Sequence, residues 1–176
     1  MTQYVFPFQG DKLIELGGGT RPLFRPNVDV RAGPSVDIVA DFHQPLSMLE
    51  SAAYDGVFSQ FAIEHISWRR VRAFIRETHR ILRPGGSAVF ITANLLEQVR
   101  KLVEAKHWND DLIGTIFGGN DYAENTHRCG FSPDYITLLM KQAGYFEVRV
   151  VPHPMCATDM LVEAHKSRAE IITHKS

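Results

Sequence analysis

"LIELGGGTRP", Leu13 to Pro22, sets three consecutive glycines directly behind an apolar run and then stops at a proline. A short apolar run bounded in this way reads as a buried strand. A strand that ends in glycines lets the main chain come close to a ligand, because no side chain holds it off and positive φ angles carry no steric cost. In an open parallel sheet, ligands collect at the carboxyl ends of the strands. The stretch therefore predicts the first strand of an α/β sheet and the edge of that sheet where a site would lie.

Outward from it, short apolar runs alternate with helical patterns, as expected of a parallel sheet covered by helices. The strand candidates are 12–16, 28–30, 37–39, 56–61, 88–92, 146–151 and 158–164. From Ser67 to Leu82 the positions Trp68, Val71, Phe74, Ile75, Thr78, Ile81 and Leu82 recur at three and four residues, an amphipathic stripe with Ser67 as N-cap. Arg83, Pro84, Gly85 and Gly86 end that helix with a tight turn. Two more helices follow, Leu95 to His107 and Ser132 to Ala143, the second opened by "SPD" and stopped by Gly144. Between them the polar, glycine-punctuated segment Asn109 to Phe131 is longer than an ordinary connection, a length typical of functional or disordered segments. The tail from Lys166 to Ser176 reads as weakly anchored.

The 176 residues suit one domain, 1–176, and a formal net charge of −1 gives no long-range bias toward nucleic acid or acidic membranes. No stretch is apolar and long enough for a signal peptide or a membrane span, so a cytoplasmic location is expected. Cys129 and Cys156 are too few for a disulfide framework, and no bridge is assigned. His127, Cys129, His153 and Cys156 lack the spacings of structural zinc sites, so no metal is expected.

Further strand ends converge on the glycine edge. "PNVDV" places Asp29 at the end of the second strand, where an ionised carboxylate can accept from two neighbouring ribose hydroxyls. "VDIVADFHQPL" ends the third strand at Asp41 and Phe42, an acid to receive an amino group and an aromatic to cover a base. "YDGVFSQFAIEHI" ends the fourth at Ser59 and Gln60. A dinucleotide is disfavoured: position 22 holds proline where its fingerprint needs the last glycine, and Asp29 follows the loop too soon.

In this order and spacing, "IELGGGT", "YDGVFSQFAIEHI", "ILRPGGSAVF" and "GFSPDYITLLMKQAGYFEVRVV" resemble the motifs of class I S-adenosylmethionine-dependent methyltransferases, in the small subgroup that contains only the core domain. The resemblance implies a Rossmann-like α/β sheet ordered 3-2-1-4-5-7-6 with strand 7 antiparallel. It also implies that S-adenosyl-L-methionine lies across the ends of strands one to four. Glu15 would then face the amino group of the methionine moiety, with Gly17, Gly18 and Gly19 against the amino acid and ribose. Asp29 would hold the ribose, Asp41 and Phe42 would flank the adenine, and Ser59 with Gln60 would meet the methionine part. The chain departs from the family at Arg21, where a third spaced glycine is usual. Only eleven residues, 17 to 27, lie between Leu16 and Val28, fewer than the dozen or so of a helical crossover. The first crossover helix is expected to be reduced or absent, and the cofactor more exposed than usual.

Methyl transfer is an in-line displacement in which orientation does much of the work. Where the acceptor is a hydroxyl, a histidine would remove its proton. The candidates are His127, in the 94–130 segment expected to fold as a cap after strand five, and His65 in "IEHI". His43 is expected to be a solvated loop residue. Residues Arg69, Arg70, Arg72, Arg76, Arg80 and Arg83 form a basic stripe with Glu77 the only acid among them. The sequence thus favours an enzyme acting on a small-molecule or glycan acceptor. The alternatives are a non-catalytic module that keeps the fold and the nucleoside site, and a nucleic-acid methyltransferase docking through that stripe. "SQFA" stands where amino-methylating enzymes carry Asn-Pro-Pro-Tyr, which counts against the last.

Overall fold

The computed structural model of the chain describes residues 4–168. Seven strands form one sheet: β1 (Leu13–Leu16), β2 (Asn27–Asp29), β3 (Ile38–Val39), β4 (Tyr54–Gln60), β5 (Leu82–Ala93), β6 (Glu147–His153) and β7 (Cys156–His165). Their order is β3-β2-β1-β4-β5-β7-β6, parallel from β3 to β5, with β7 antiparallel to both its neighbours. This is the expected order with the expected reversal. The glycine turn after the first long helix lies inside a strand: Tyr54 pairs with Leu82 and Gly56 with Ser87, so residues 83–86 bulge from the ladder, with Gly85 at φ 82°.

The helices are α1 (Val71–Ile81), α2 (Leu95–Ala105), α3 (Asp110–Phe117) and α4 (Pro133–Ala143), with a 3-10 turn at Ile63–His65. Successive strand residues point to opposite faces, so one sheet has two covers. Val57, Ala88, Phe90, Val162 and Ala164 are buried with Val71, Phe74 and Ile75 of α1 and Ile136, Leu139 and Met140 of α4. Phe58, Val89, Ile91 and Leu161 form a second apolar layer, against which Tyr4, Phe6, Phe8 and Phe24 pack.

No helix occurs in segments 17–26, 30–37 or 40–53. The reduced first crossover therefore extends to the next two, and the aromatic segment 4–8 does part of the covering that crossover helices would do. Phe6 sits 5.3 Å from Phe58 and 5.2 Å from Phe24, edge to face in both cases. Phe6→Ala is expected to cost about 2 kcal/mol, less than the full-burial penalty because the ring is only partly buried, its edge contacts included. A melting temperature unchanged from the parent would show that the strap contributes nothing.

Four expectations need correction. Ser67 is not the N-cap: its carbonyl accepts from the Arg70 and Val71 N–H groups at 2.7 and 2.9 Å, so 67–70 form a turn and Arg70 caps the helix. The basic stripe is partly consumed internally. Arg80 pairs with Glu77 and donates to the Leu46 and Leu49 carbonyls, and Arg83 pairs with Asp55. The 109–131 segment is not loop throughout, since the Asn109 side chain accepts from Leu112 N–H at 2.9 Å and, with Asp110 and Asp111 in the first turn, starts α3. Lys166 is anchored, its Nζ donating to the His79 and Leu82 carbonyls at 3.1 Å; residues 169–176 of the expected weak tail lie outside the described residues. No helix among the described residues is long and apolar enough to cross a membrane.

Candidate functional site

Each glycine of the loop meets a different constraint. Gly17, at φ 84°, donates to the Val28 carbonyl at 2.7 Å, and a Cβ built there would lie 2.3 Å from that of Ala62. Gly18 donates to Asn27 Oδ1 at 3.0 Å, and a Cβ would meet the Asn27 and Glu15 oxygens at 2.7 and 2.8 Å. Gly19, at φ 55°, donates to Asp29 Oδ2 at 3.0 Å, and a Cβ there would meet nothing within 4 Å. The first two are glycine because the protein crowds them, the third because the chain turns beside open space.

Two buried polar side chains hold this shape. Asn27 is fully buried, and its Nδ2 donates to the Gly19 and Ser35 carbonyls at 3.1 and 2.8 Å while its Oδ1 takes the Gly18 N–H. Glu15 Oε2 accepts the Leu23 and Phe24 N–H groups at 2.5 and 2.8 Å. Burial pushes the Glu15 carboxyl upward from its ordinary value, against the pull of those two donors.

Above the loop opens a cavity of about 570 Å³. Of the residues singled out in the sequence, Gly17, Gly19, Asp29, Asp41, Phe42 and His65 line it. Glu15, Gly18, Ser59, Gln60 and His127 do not. Glu15 lies under the loop as its brace, and Ser59 is buried with a hydroxyl that has no hydrogen-bond partner among the described residues. Asp29 also accepts from Arg31 N–H at 3.0 Å, so each of its oxygens takes one backbone donor and keeps lone-pair capacity. Phe42 is backed by Phe74, ring centroids 5.0 Å apart.

His43 is not a free loop residue. Its backbone N–H and its Nδ1 both meet Asp41 Oδ1 at 2.9 Å, and its Nε2 accepts Ser67 N–H at 3.0 Å. The Nε2 lone pair being taken, the proton sits on Nδ1. The first of these bonds is the chief reason the Asp41 carboxyl is held below its usual range. Sequence reading also missed the far walls: residues 31–36 after β2, and Tyr122, Glu124 and Arg128 from the segment after α3. Arg31 stacks over the Tyr122 ring at 4.2 Å and so bridges the cavity from one wall to the other.

That segment returns beside the 3-10 turn, where Arg128 and Cys129 N–H groups donate to the Glu64 carbonyl at 2.8 and 3.1 Å. The return brings His127 edge-on to His65, ring centroids 4.8 Å apart across sixty-one intervening residues. Burial lowers the pKa of both rings, assisted at His127 by its neighbour His65, so both are neutral at pH 7. Glu64 beside them is almost completely buried, receives the Thr92 hydroxyl at 3.0 Å, and has its carboxyl raised to about 7 by desolvation. In the sequence it stands only as the Glu of "IEHI", with no spacing that marks it as buried.

A family model described as a methyltransferase domain matches residues 2–149. Solved structures share the fold at low identity. One is a Thermotoga maritima S-adenosylmethionine-dependent methyltransferase described as a possible histamine N-methyltransferase: 16% identical, TM-score 0.62, covering 92% of this chain and 84% of that one. Another is a methyltransferase of the same cofactor dependence from Archaeoglobus fulgidus, 13% identical, TM-score 0.63, with 90% and 88% covered. A third, CurJ carbon methyltransferase, is 14% identical with a TM-score of 0.64; 93% of this chain aligns, spanning 50% of that one. No curated protein matches the sequence.

Proposed function

The chain belongs to the methyltransferase domain family, and from that membership we propose that it transfers a methyl group from S-adenosylmethionine to a small polar acceptor, a free molecule or a glycan end. When bound, the cofactor supplies a methyl group on a positively charged sulfur, open to in-line displacement by an acceptor nucleophile.

The observation that carries the reading is the cavity over the glycine loop. Its volume of about 570 Å³ suits a small-molecule ligand. A side chain at Gly19 would project into space that nothing else in the protein fills. Asp29 is positioned to accept ribose hydroxyls with its remaining lone pairs, and Asp41 and Phe42 to meet the base. The segment carrying Tyr122, Glu124 and Arg128 lines the opposite end and would hold an acceptor against the donor, where alignment alone is worth several kcal/mol. His65, neutral and on the cavity wall, can take a proton from an acceptor hydroxyl, and His127 orients it. The mixed charges of Arg31, Glu124 and Arg128 favour a polar acceptor. The neighbours' descriptions name a nitrogen and a carbon acceptor, so the shared fold does not carry the acceptor atom with it.

Calorimetric titration with S-adenosylhomocysteine tests this directly. Saturable binding is expected, weakened in Asp29→Ala by about 1–3 kcal/mol, roughly 5- to 150-fold. Equal affinity in the variant would remove Asp29 from the site. Absence of binding to the parent chain at millimolar ligand would end the methyltransferase reading, while binding without turnover on any acceptor would leave a nucleoside-binding module.

A further inference from the structure

We propose that Glu64, His65 and His127 form a binding site for a divalent transition-metal ion, with zinc the best match to the ligands, at the cavity wall where the acceptor would sit. One ligand atom from each of the three lies within 4.8 Å of the others. Tetrahedral ligands 2.0–2.1 Å from a zinc ion stand about 3.4 Å apart, so closing on the ion needs side-chain movements of about an ångström. Two imidazoles and one carboxylate with open positions are the ligand set of catalytic zinc and related divalent sites, and imidazole favours such ions over magnesium or calcium.

Each side chain also has an outer partner. His65 Nδ1 faces the Thr126 carbonyl at 3.3 Å, and the Glu124 and Phe61 carbonyls also lie beside the ring; with the proton on Nδ1, Nε2 is the lone-pair donor. The His127 ring has the Ile116 and Thr115 carbonyls for partners. Thr92 donates its hydroxyl to Glu64 Oε2, fixing the carboxylate. Glu64 is 2% exposed, its charged neighbour is the acid Asp159, and no ion pair reaches it among the described residues. A buried carboxylate so placed lacks a cation, and a metal ion would supply one. Both histidines are only half-buried, and of the three ligands His65 opens onto the cavity, the side from which an acceptor would reach the ion.

For its role, the inference rests on the methyltransferase reading. An acceptor hydroxyl bound to the ion would lose its proton to solvent, a route that replaces proton removal by His65, whose Nε2 would then be a ligand. The acceptor oxygen then forms the bond to the methyl carbon as the carbon–sulfur bond breaks, with the electron pair passing to sulfur. Acceptors with two adjacent oxygens, which can chelate the ion, become the preferred class.

The test uses the full chain, stripped with a chelator and titrated with Zn²⁺ by calorimetry and with Co²⁺ by visible d–d absorption. One equivalent should bind saturably. The signal should be lost in His127→Ala and Glu64→Gln, weakened on the order of 10- to 100-fold in Thr92→Val, and kept in His153→Ala. If Glu64→Gln fails to fold, His127→Ala decides, since its ring is half-exposed. No saturable binding, or binding unchanged in His127→Ala, overturns the inference and leaves the two rings as a packed aromatic pair. Titrating S-adenosylhomocysteine into the metal-free protein separates the two failures: nucleoside binding without metal binding removes only this site, whereas its absence removes the methyltransferase reading.

Discussion

Gly17→Ala is expected to lower the melting temperature by about 6–12 °C and to abolish detectable S-adenosylhomocysteine binding. At φ 84° an L-residue costs about 1–2 kcal/mol. The added methyl would then stand 2.3 Å from the Ala62 Cβ, against an optimal carbon separation of 3.5–4.0 Å. Ala62 leads directly into the 3-10 turn, so its backbone gives way only by moving Glu64 and His65 with it. Overpacking of this kind costs another 1–3 kcal/mol, for a total near 3. For a chain of this size each kcal/mol is worth about 2–4 °C. Gly19→Ala is the control, because its Cβ would meet nothing within 4 Å and only the backbone angle is strained. That variant should melt within a few degrees of the parent yet bind the nucleoside more weakly, its methyl entering the cavity. Equal losses of stability in the two variants would contradict the assignment of crowding to one glycine and ligand space to the other.

The contrast between these glycines bears on what the sequence discloses. Three glycines behind a strand announce a close approach, but not to what: two of them approach the protein's own Ala62, Asn27 and Glu15. Strand positions were legible because each run is short, apolar and bounded by glycine, proline or a strand-end acid, features encoded locally; their order came only with the resemblance to the methyltransferase motifs. Asp29, Asp41 and Phe42 were legible for the same reason, since a residue at a strand's carboxyl end is placed by topology alone. Asn27, two positions before Asp29, was not, because its importance lies in three hydrogen bonds to residues 18, 19 and 35 that no periodicity reveals. The aromatic strap at 4–8 carries no strand or helix period, and only the missing crossover helices make its packing necessary. The meeting of His65 with His127 depends on how the segment after α3 returns, through the Glu64 carbonyl and the Asn94–Phe131 bridge, contacts that pair distant positions. What depends on sequence neighbours could be read; what depends on return paths could not.

Asn27→Asp should be the most damaging isosteric change in the molecule, costing about 3–5 kcal/mol at pH 7.5. The substitution keeps the acceptor for Gly18 N–H but turns the donor that serves the Gly19 and Ser35 carbonyls into an oxygen facing two oxygens at 3.1 and 2.8 Å. The new charge would be wholly buried, one loop bond from Asp29 and beside Glu15, with Asp37 Oδ2 already on its own N–H at 2.7 Å. Breaking a buried polar network while adding an unpaired charge belongs among the largest single-residue effects. The pH dependence follows from the sign of the shift. Burial among acids raises the folded-state pKa of the introduced carboxyl above its unfolded value near 3.9. The folded protein therefore holds the proton longer, and the variant is least impaired below about pH 4, where the acid is neutral in both states and can donate to one carbonyl. The deficit grows as pH rises toward the folded pKa and is complete above it. Melting curves of parent and variant compared at pH 5 and pH 7.5 measure this, with a gap of more than about 8 °C expected at the higher pH and a smaller one at the lower. A gap independent of pH would mean the lost donor alone matters, and no gap at all would mean that Asn27 does not hold the loop on which the proposed cofactor site depends.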